Sequence, residues 1–341
     1  MNGANFCDTF FYFFIFKPFA LLPLPSRMWR SALPFFCMNP LLVVGTVAFD
    51  NIETPHGKAD HIVGGAATFI AFSAAKFGIG VNLVSVIGDD FPTADLDAMR
   101  AAGINLDGLQ IKAGEKSFSW TGRYHNDMNS RDTLATDLNV LAAFEPHLPA
   151  SYRTTPYVML GNLTPTVQAS VLDQMTTRPK LVAIDTMNFW MDIALDDLKA
   201  VLRRVDLLTI NDEEARQLSG EYSIRRAARK IQAMGPRYLV IKRGEHGALL
   251  FHDNSIFFCP AMPLEEVFDP TGAGDSFAGG FMGHLAHTDD LSFENMKRAV
   301  VYGSCIASFS VETFGTDRIR SVSAADIEAR MNEFRGMMSL A

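Results

Sequence analysis

Residues 269–280 read Asp269-Pro270-Thr271-Gly272-Ala273-Gly274-Asp275-Ser276-Phe277-Ala278-Gly279-Gly280. Small residues gather at the start of an apolar run with helical spacing, so the turn can expose several backbone N–H groups at a helix N-terminus. Such amides, with the partial positive charge of the helix end, attract a phosphoryl group without a basic side chain. Glycine at Gly272 and Gly274 removes the Cβ that would block close approach. A carboxylate at Asp275 would sit at the rim, placed to accept the proton of an attacking hydroxyl. Taken alone, a G-x-G-D run also reads as a tight turn with an aspartate capping the helix. Two other chemistries fail on the same residues. The nucleophile elbow G-x-S-x-G breaks at Ala278, and no acidic residue lies between Ser276 and the last histidine, His287. The dinucleotide fingerprint G-x-G-x-x-G meets Phe277 where it needs glycine, and no Walker A run is present.

Outward from this run, the chain alternates apolar runs with amphipathic stretches. Residues 41–48, 81–87, 157–160, 181–184, 207–210 and 238–241 read as buried strands. Helices are expected over 69–77, 92–102, 165–175, 196–203, 212–218, 224–234, 276–286 and 293–308. This order predicts an α/β fold, a doubly wound, mostly parallel sheet with helices on both faces. Residues 51–63 and 110–126 break the rhythm with polar residues alternating with Ile, Phe, Trp and Tyr, and read as antiparallel strands of a small β lid.

The full run Asp269 to Gly280 resembles the second signature of the ribokinase-like (PfkB) carbohydrate kinase family. The order of elements extends the resemblance over the body: the Val-Val-Gly strand with Asp50, the Gly64-Gly65 pair, the lid segments, Asn211-Asp212-Glu213-Glu214, and the Gly244 to Gly247 hairpin. The resemblance implies an ATP-dependent kinase acting on a hydroxyl of a sugar or sugar-like polyol, with Asp275 as general base and the amides of Gly272, Ala273, Gly274 and Asp275 as anion hole. A nucleoside acceptor is the alternative within the fold. A ligand-binding relative without catalysis is the alternative of another class, and it would lack the base that Asp275 supplies.

Asn211 and Glu214, three apart at the start of a helix, can hold a hydrated Mg²⁺ through water, and the same spacing also fits an N-cap with an acidic first turn. The resemblance assigns Asn211, Glu214, Lys242, Gly244, Gly247 and Thr271 to the nucleotide side, although a plain hairpin explains the two glycines as well. It assigns Asp50, Gly64, Gly65, Phe69 and Asp269 to the acceptor, and Arg123 and Arg131 from the lid could reach an anionic substrate. His246 reads as a solvent-facing turn residue. Two departures stand out: Phe69 occupies the place where the family usually has Asn, and Asp185-Thr186-Met187-Asn188 spaces its Asp and Asn by three rather than two. The first departure weighs against a simple sugar. Phe69, Phe118, Trp120 and Tyr124 could stack on a base or sugar face, or belong to the core.

With 30 Lys and Arg against 38 Asp and Glu, the chain has no global basic surface for a nucleic acid. The four cysteines form no C-x-x-C pair, which fits a reducing cytoplasm without disulfide or structural metal. Residues 1–37 differ in composition, holding nine of the 27 phenylalanines within the first 36 positions. Their apolar run Phe10 to Phe16 is too short to span a membrane and lacks a basic lead-in for export. They are expected to be extra translated sequence ahead of a start at Met38, with residues 38–341 forming the kinase domain and no membrane partner. An exposed lid edge predicts a homodimer.

Overall fold

The computed structural model describes residues 39–339; the expectation for residues 1–37 lies outside them. β1 (Leu41–Val44), β2 (Ala48–Thr54) and β3 (Gly57–Gly64) lead into α1 (Ala66–Ala75). β4 (Val81–Gly88), α2 (Thr93–Ala101) and β5 (Ile104–Lys112) follow, then β6 (Phe118–Tyr124) and β7 (Arg131–Asp137). The middle of the chain alternates regularly through β8 (Tyr157–Leu160), α3 (Pro165–Gln174), β9 (Leu181–Asp185), α4 (Asn188–Ile193), α5 (Leu195–Leu202) and β10 (Leu207–Asn211). After α6 (Asp212–Ser219), α7 (Ile224–Gln232) and β11 (Tyr238–Lys242) come β12 (Ala248–His252) and β13 (Ser255–Cys259). α8 (Ala273–Thr288), α9 (Phe293–Ser310), α10 (Asp317–Ser321) and α11 (Ala324–Met338) complete the order.

Nine strands form the main sheet in the order β13-β12-β11-β10-β9-β8-β1-β4-β5. From β11 to β5 every neighbour pairs parallel, while β12 and β13 attach antiparallel. The expected doubly wound sheet is therefore present. Its chain order reverses at β1, which lies between β4 and β8, and in such sheets ligands bind beyond the carboxyl ends of the strands near the reversal. The strand period of two sorts β1 between the two halves of the core. Leu41 and Val43 face a cluster with α1, α8, α9 and α11, and Leu42 and Val44 face one with α3, α5, α6 and α7.

A second sheet, ordered β3-β2-β6-β7, forms the lid. It differs from expectation in three respects. Residues 110–112 belong to β5 in the main sheet, β2 pairs with β6 in parallel rather than antiparallel, and β7 adds an outer strand that lay outside the two expected segments. Among the described residues no helix is long and apolar enough to cross a membrane.

α8 is wedged between α1 and α9 with almost no side-chain spacer. A Cβ at Gly279 would lie 2.4 Å from the Ile70 carbonyl oxygen, one at Gly283 2.6 Å from the Phe77 ring, and one at Gly280 3.0 Å from Ile306. The backbone of Ile70 cannot yield to an added methyl, so glycine fixes the depth of α8 in the core. Replacing Gly279 by Val should therefore overpack the α1–α8 contact and cost about 1–3 kcal/mol or more. Gly336→Ala, in an exposed turn of α11 with nothing within 4 Å, should instead stabilise by about 0.4–1 kcal/mol. Urea denaturation midpoints of the two variants, moving in opposite directions, check this.

Candidate active site

α8 begins at Gly272, which takes the left-handed conformation with φ 74° and receives no side-chain cap. Ser276 N–H donates to the Gly272 carbonyl at 2.7 Å, and the amides of Gly272, Gly274 and Asp275 find no acceptor among the described residues. Ala273 is the exception. Its N–H donates to the Pro270 carbonyl at 3.2 Å, which removes it from the expected set of four donors and makes it part of the turn. Three amides thus remain directed outward at a helix N-terminus.

The turn is held from several sides. Asp269, expected to meet the acceptor, is 1% exposed and accepts from Thr271 N–H at 2.8 Å and Gly315 N–H at 3.3 Å. With both oxygens taken by backbone, it is a brace for the loop rather than a ligand contact. Phe69 is also corrected. It is 1% exposed, and a Cβ at Gly272 would lie 2.4 Å from its ring, so its face supports the turn and leaves none for a base or sugar. Thr271, expected on the nucleotide side, donates its hydroxyl to the Tyr124 oxygen of the lid at 3.2 Å.

Beside the cradle, the ends of three adjacent parallel strands contribute Asp185, Asn211 and Lys242. Lys242 Nζ lies 2.8 Å from Asp185 Oδ2 and 3.0 Å from where a Gly274 Cβ would be, so its ammonium borders the cradle. Thr209 Oγ1 donates to the same Asp185 oxygen at 3.0 Å, and Thr186 N–H to the other at 2.7 Å. Gln168, fully buried on α3, ties the ends of β8 and β9 by donating to the carbonyls of Gly161 at 2.9 Å and Asp185 at 3.0 Å. Burial opposes the charge of Lys242, but Asp185, Glu214 and Asp275 outweigh it and hold the ammonium above its ordinary pKa.

Asn211 and Glu214 form a reciprocal capping box, each side chain accepting from the other's backbone N–H at 2.8 Å. The capping reading is therefore met. It uses Asn211 Oδ1 and Glu214 Oε2, and Glu214 Oε1 has no hydrogen bond among the described residues. Burial, then the Asp185 charge, pushes Glu214 up to about 7, with Lys242 pulling the other way. Asp275 is partly open to solvent at the mouth of the cleft but closely surrounded by protein. Burial and the Asp185 charge raise its carboxyl to about 7 against the pull of Lys242 and Arg131.

On the lid side, Asp50 is 5% exposed on β2. Burial, then the charge of Asp269, pushes it up to about 7. A Cβ at Gly64 would fall 1.8 Å from Asp50 Oδ2, so Gly64 makes the room that this carboxyl occupies. Gly65, at φ 90°, turns the chain into α1 with its Cα against the Thr46 carbonyl. Arg123 points elsewhere: it is exposed and forks onto Glu53 at 3.0 and 3.1 Å, its register partner across the β2–β6 pair. The lid arginine that faces the cluster is Arg131, whose charge lowers the pKa of Asp275 and Glu214. Asn188 lies on the surface, donating to Gln217 at 2.5 Å. Gly244 and Gly247, at φ 54° and 82°, close the turn between β11 and β12, as a hairpin requires. Across from Gly244, Asn129 of the β6–β7 loop donates to Glu245 at 2.7 Å. His246 is exposed, as expected.

A family model described as pfkB family carbohydrate kinase matches residues 39–321. The chain is 34% identical over 251 residues to a cytidine kinase of Thermococcus kodakarensis, covering 72% of this chain and 88% of that protein. It is 26% identical over 292 residues to a nucleoside kinase of Methanothermobacter thermautotrophicus, covering 81% and 90%. The crystal structure of Methanocaldococcus jannaschii nucleoside kinase, an archaeal member of the ribokinase family, superposes with a TM-score of 0.69 at 20% identity, covering 87% of this chain and 99% of that one.

Asp50 and Asp275 bind protons more tightly in the folded protein than in the unfolded chain, where carboxyls titrate near about 4. Their contribution to stability is thus complete at acid pH and is lost as pH rises through about 7. The melting temperature of the ligand-free protein should fall from about pH 4 to about pH 7 and level off above that, and Asp275→Asn should flatten part of the fall. Differential scanning calorimetry across this range measures both.

Proposed function

The chain belongs to the pfkB family of carbohydrate kinases, and from that premise we propose that it transfers the γ-phosphoryl group of ATP to a hydroxyl of a nucleoside. Membership makes it a phosphotransferase with a hydroxyl acceptor. The observation that carries the mechanism is the Asp275 carboxyl at the start of α8 beside outward-facing amides. The 34% identity to a cytidine kinase supports the nucleoside over the simple sugar, and Phe69, in the place where the family usually has Asn, points the same way.

Asp275 takes the proton of the acceptor hydroxyl as that oxygen bonds to the γ-phosphorus, and the bond from phosphorus to the β–γ bridging oxygen breaks, leaving ADP. The Gly272, Gly274 and Asp275 amides donate to the oxygens of the migrating group, where their fixed orientation needs no reorganisation. The Lys242 ammonium, at the edge of this cradle, adds a buried positive charge on the donor side. Asp50 accepts from the sugar hydroxyls, with Gly64 giving it space. The lid keeps water, a competing acceptor, from the phosphoryl group.

Three carboxyls, Asp185, Glu214 and Asp275, surround the single ammonium of Lys242. Among the described residues no three His, Cys, Asp or Glu side chains are grouped to hold an ion directly, so a hydrated Mg²⁺ arriving with the nucleotide would be held through its water shell, by Asn211 and Glu214. Bound there, the ion would offset the charge of the phosphates.

Asp275→Asn should lower kcat about 10²- to 10⁴-fold in a folded protein whose ATP affinity is nearly unchanged; near-normal turnover would remove Asp275 from the role of base. Glu214→Gln should shift the Mg²⁺ titration to higher concentration, and an unmoved midpoint would free Glu214 of any metal contact. An ATP-consumption screen over nucleosides, pentoses, hexoses and inositols tests the acceptor, with nucleosides expected to lead.

A further inference from the structure

We propose that Trp120 is the platform on which the acceptor's base stacks, so that this side chain selects a nucleoside over the corresponding free sugar; the inference rests on the kinase reading above. Trp120 and Asp50 are register partners on the parallel strands β6 and β2, so their side chains leave the same face of the lid. That face looks onto the cradle, because Tyr124, four residues further along β6 and on the same side, meets Thr271 at 3.2 Å.

The indole lies flat along this face. A Cβ at Gly122 would fall 2.0 Å from Trp120 Cη2 and 2.5 Å from Cζ2, so the ring covers the place where any other residue would project. Its edge is pinned, Nε1 donating to Thr133 Oγ1 at 3.3 Å, and the Arg131 guanidinium carbon sits 5.9 Å from the ring centroid. Thr133 and Arg131 face Gly122 and Tyr124 across the β6–β7 pair and share the inward side. Trp120 remains partly exposed, whereas Phe69 and Tyr124 are buried. A flat aromatic surface is thus held in place with one side against glycine and the other toward the cleft.

Neighbouring strands lie about 4.8 Å apart. A furanose giving its hydroxyls to Asp50 would therefore bring its anomeric substituent within reach of the indole, and a planar heteroaromatic group there gains a stacking contact that a free pentose lacks. Thr133 uses its oxygen as acceptor for the indole and keeps its own proton to donate to a carbonyl or ring nitrogen at the base edge.

Binding of cytidine, adenosine and ribose is measured by intrinsic tryptophan fluorescence and calorimetry on the Asp275→Asn protein, and turnover on the otherwise wild-type enzyme. We expect the nucleosides, and not ribose, to quench the fluorescence. In Trp120→Ala the nucleoside Kd and KM should rise about 5- to 150-fold, the range for one base–aromatic stack, with little change for ribose. Trp120→Phe should recover much of the loss, and Gly122→Val, which tilts the ring, should reproduce it. Nucleoside affinity unchanged in Trp120→Ala, an equal loss for ribose, or no binding of any nucleoside overturns the platform. Trp120-dependent nucleoside binding without turnover of any acceptor by the wild-type enzyme would instead uphold the platform and overturn the kinase reading.

Discussion

The closeness of α8 to its neighbours is the constraint from which the site follows. Gly279, Gly280 and Gly283 let the helix settle against the backbone of α1 and the side chains of α9, and a helix so placed cannot shift along its axis without breaking both contacts. Its N-terminus is consequently fixed where the carboxyl ends of β9, β10 and β11 deliver their last side chains. The same residue type then acts twice in one helix. Further along, glycine sets the packing distance, while at Gly272 and Gly274 it lets Phe69 support the turn from below and Lys242 approach from the side.

Electrostatics makes the ligand-free cleft a strained place. Asp185, Glu214 and Asp275 share one ammonium, and Asp50 and Asp269 repel each other beneath the lid. A core built for stability alone would not gather so many carboxyls away from water. Under the proposed transfer the arrangement would have a chemical use, because a carboxyl raised to about 7 is a far better proton acceptor than one near about 4 while still ionising at neutral pH. The bridges made by Gln168 and the Asn211–Glu214 capping box hold the strand ends in spite of this repulsion.

What could be read from the chain divides along physical lines. β1, β4, β8, β9, β10 and β11 are buried on both faces, so their apolar runs were plain, and the cradle was legible because its amides and carboxyl are neighbours in sequence. β7 was not, since Arg131 to Asp137 is exposed throughout and offers no alternation. Nor could pattern reveal that β2 and β6 run parallel, a matter of distant partners. The Asp185–Lys242 pair joins residues 57 apart, and its only sequence signal was that both end parallel strands. Asp269, Phe69 and Arg123 show the opposite failure: the residue types suited a ligand, but Thr271 and Gly315, Gly272, and Glu53 had already claimed them.

The lid meets the body through hydrogen bonds from Thr271 to Tyr124 and from Asn129 to Glu245, and through Phe49 of β2, which stacks on Phe91 with ring centroids 5.3 Å apart. Each hydrogen bond contributes roughly 0.5–1.5 kcal/mol net, so lifting the small sheet off the main one would forfeit these bonds together with the apolar contact of Phe49.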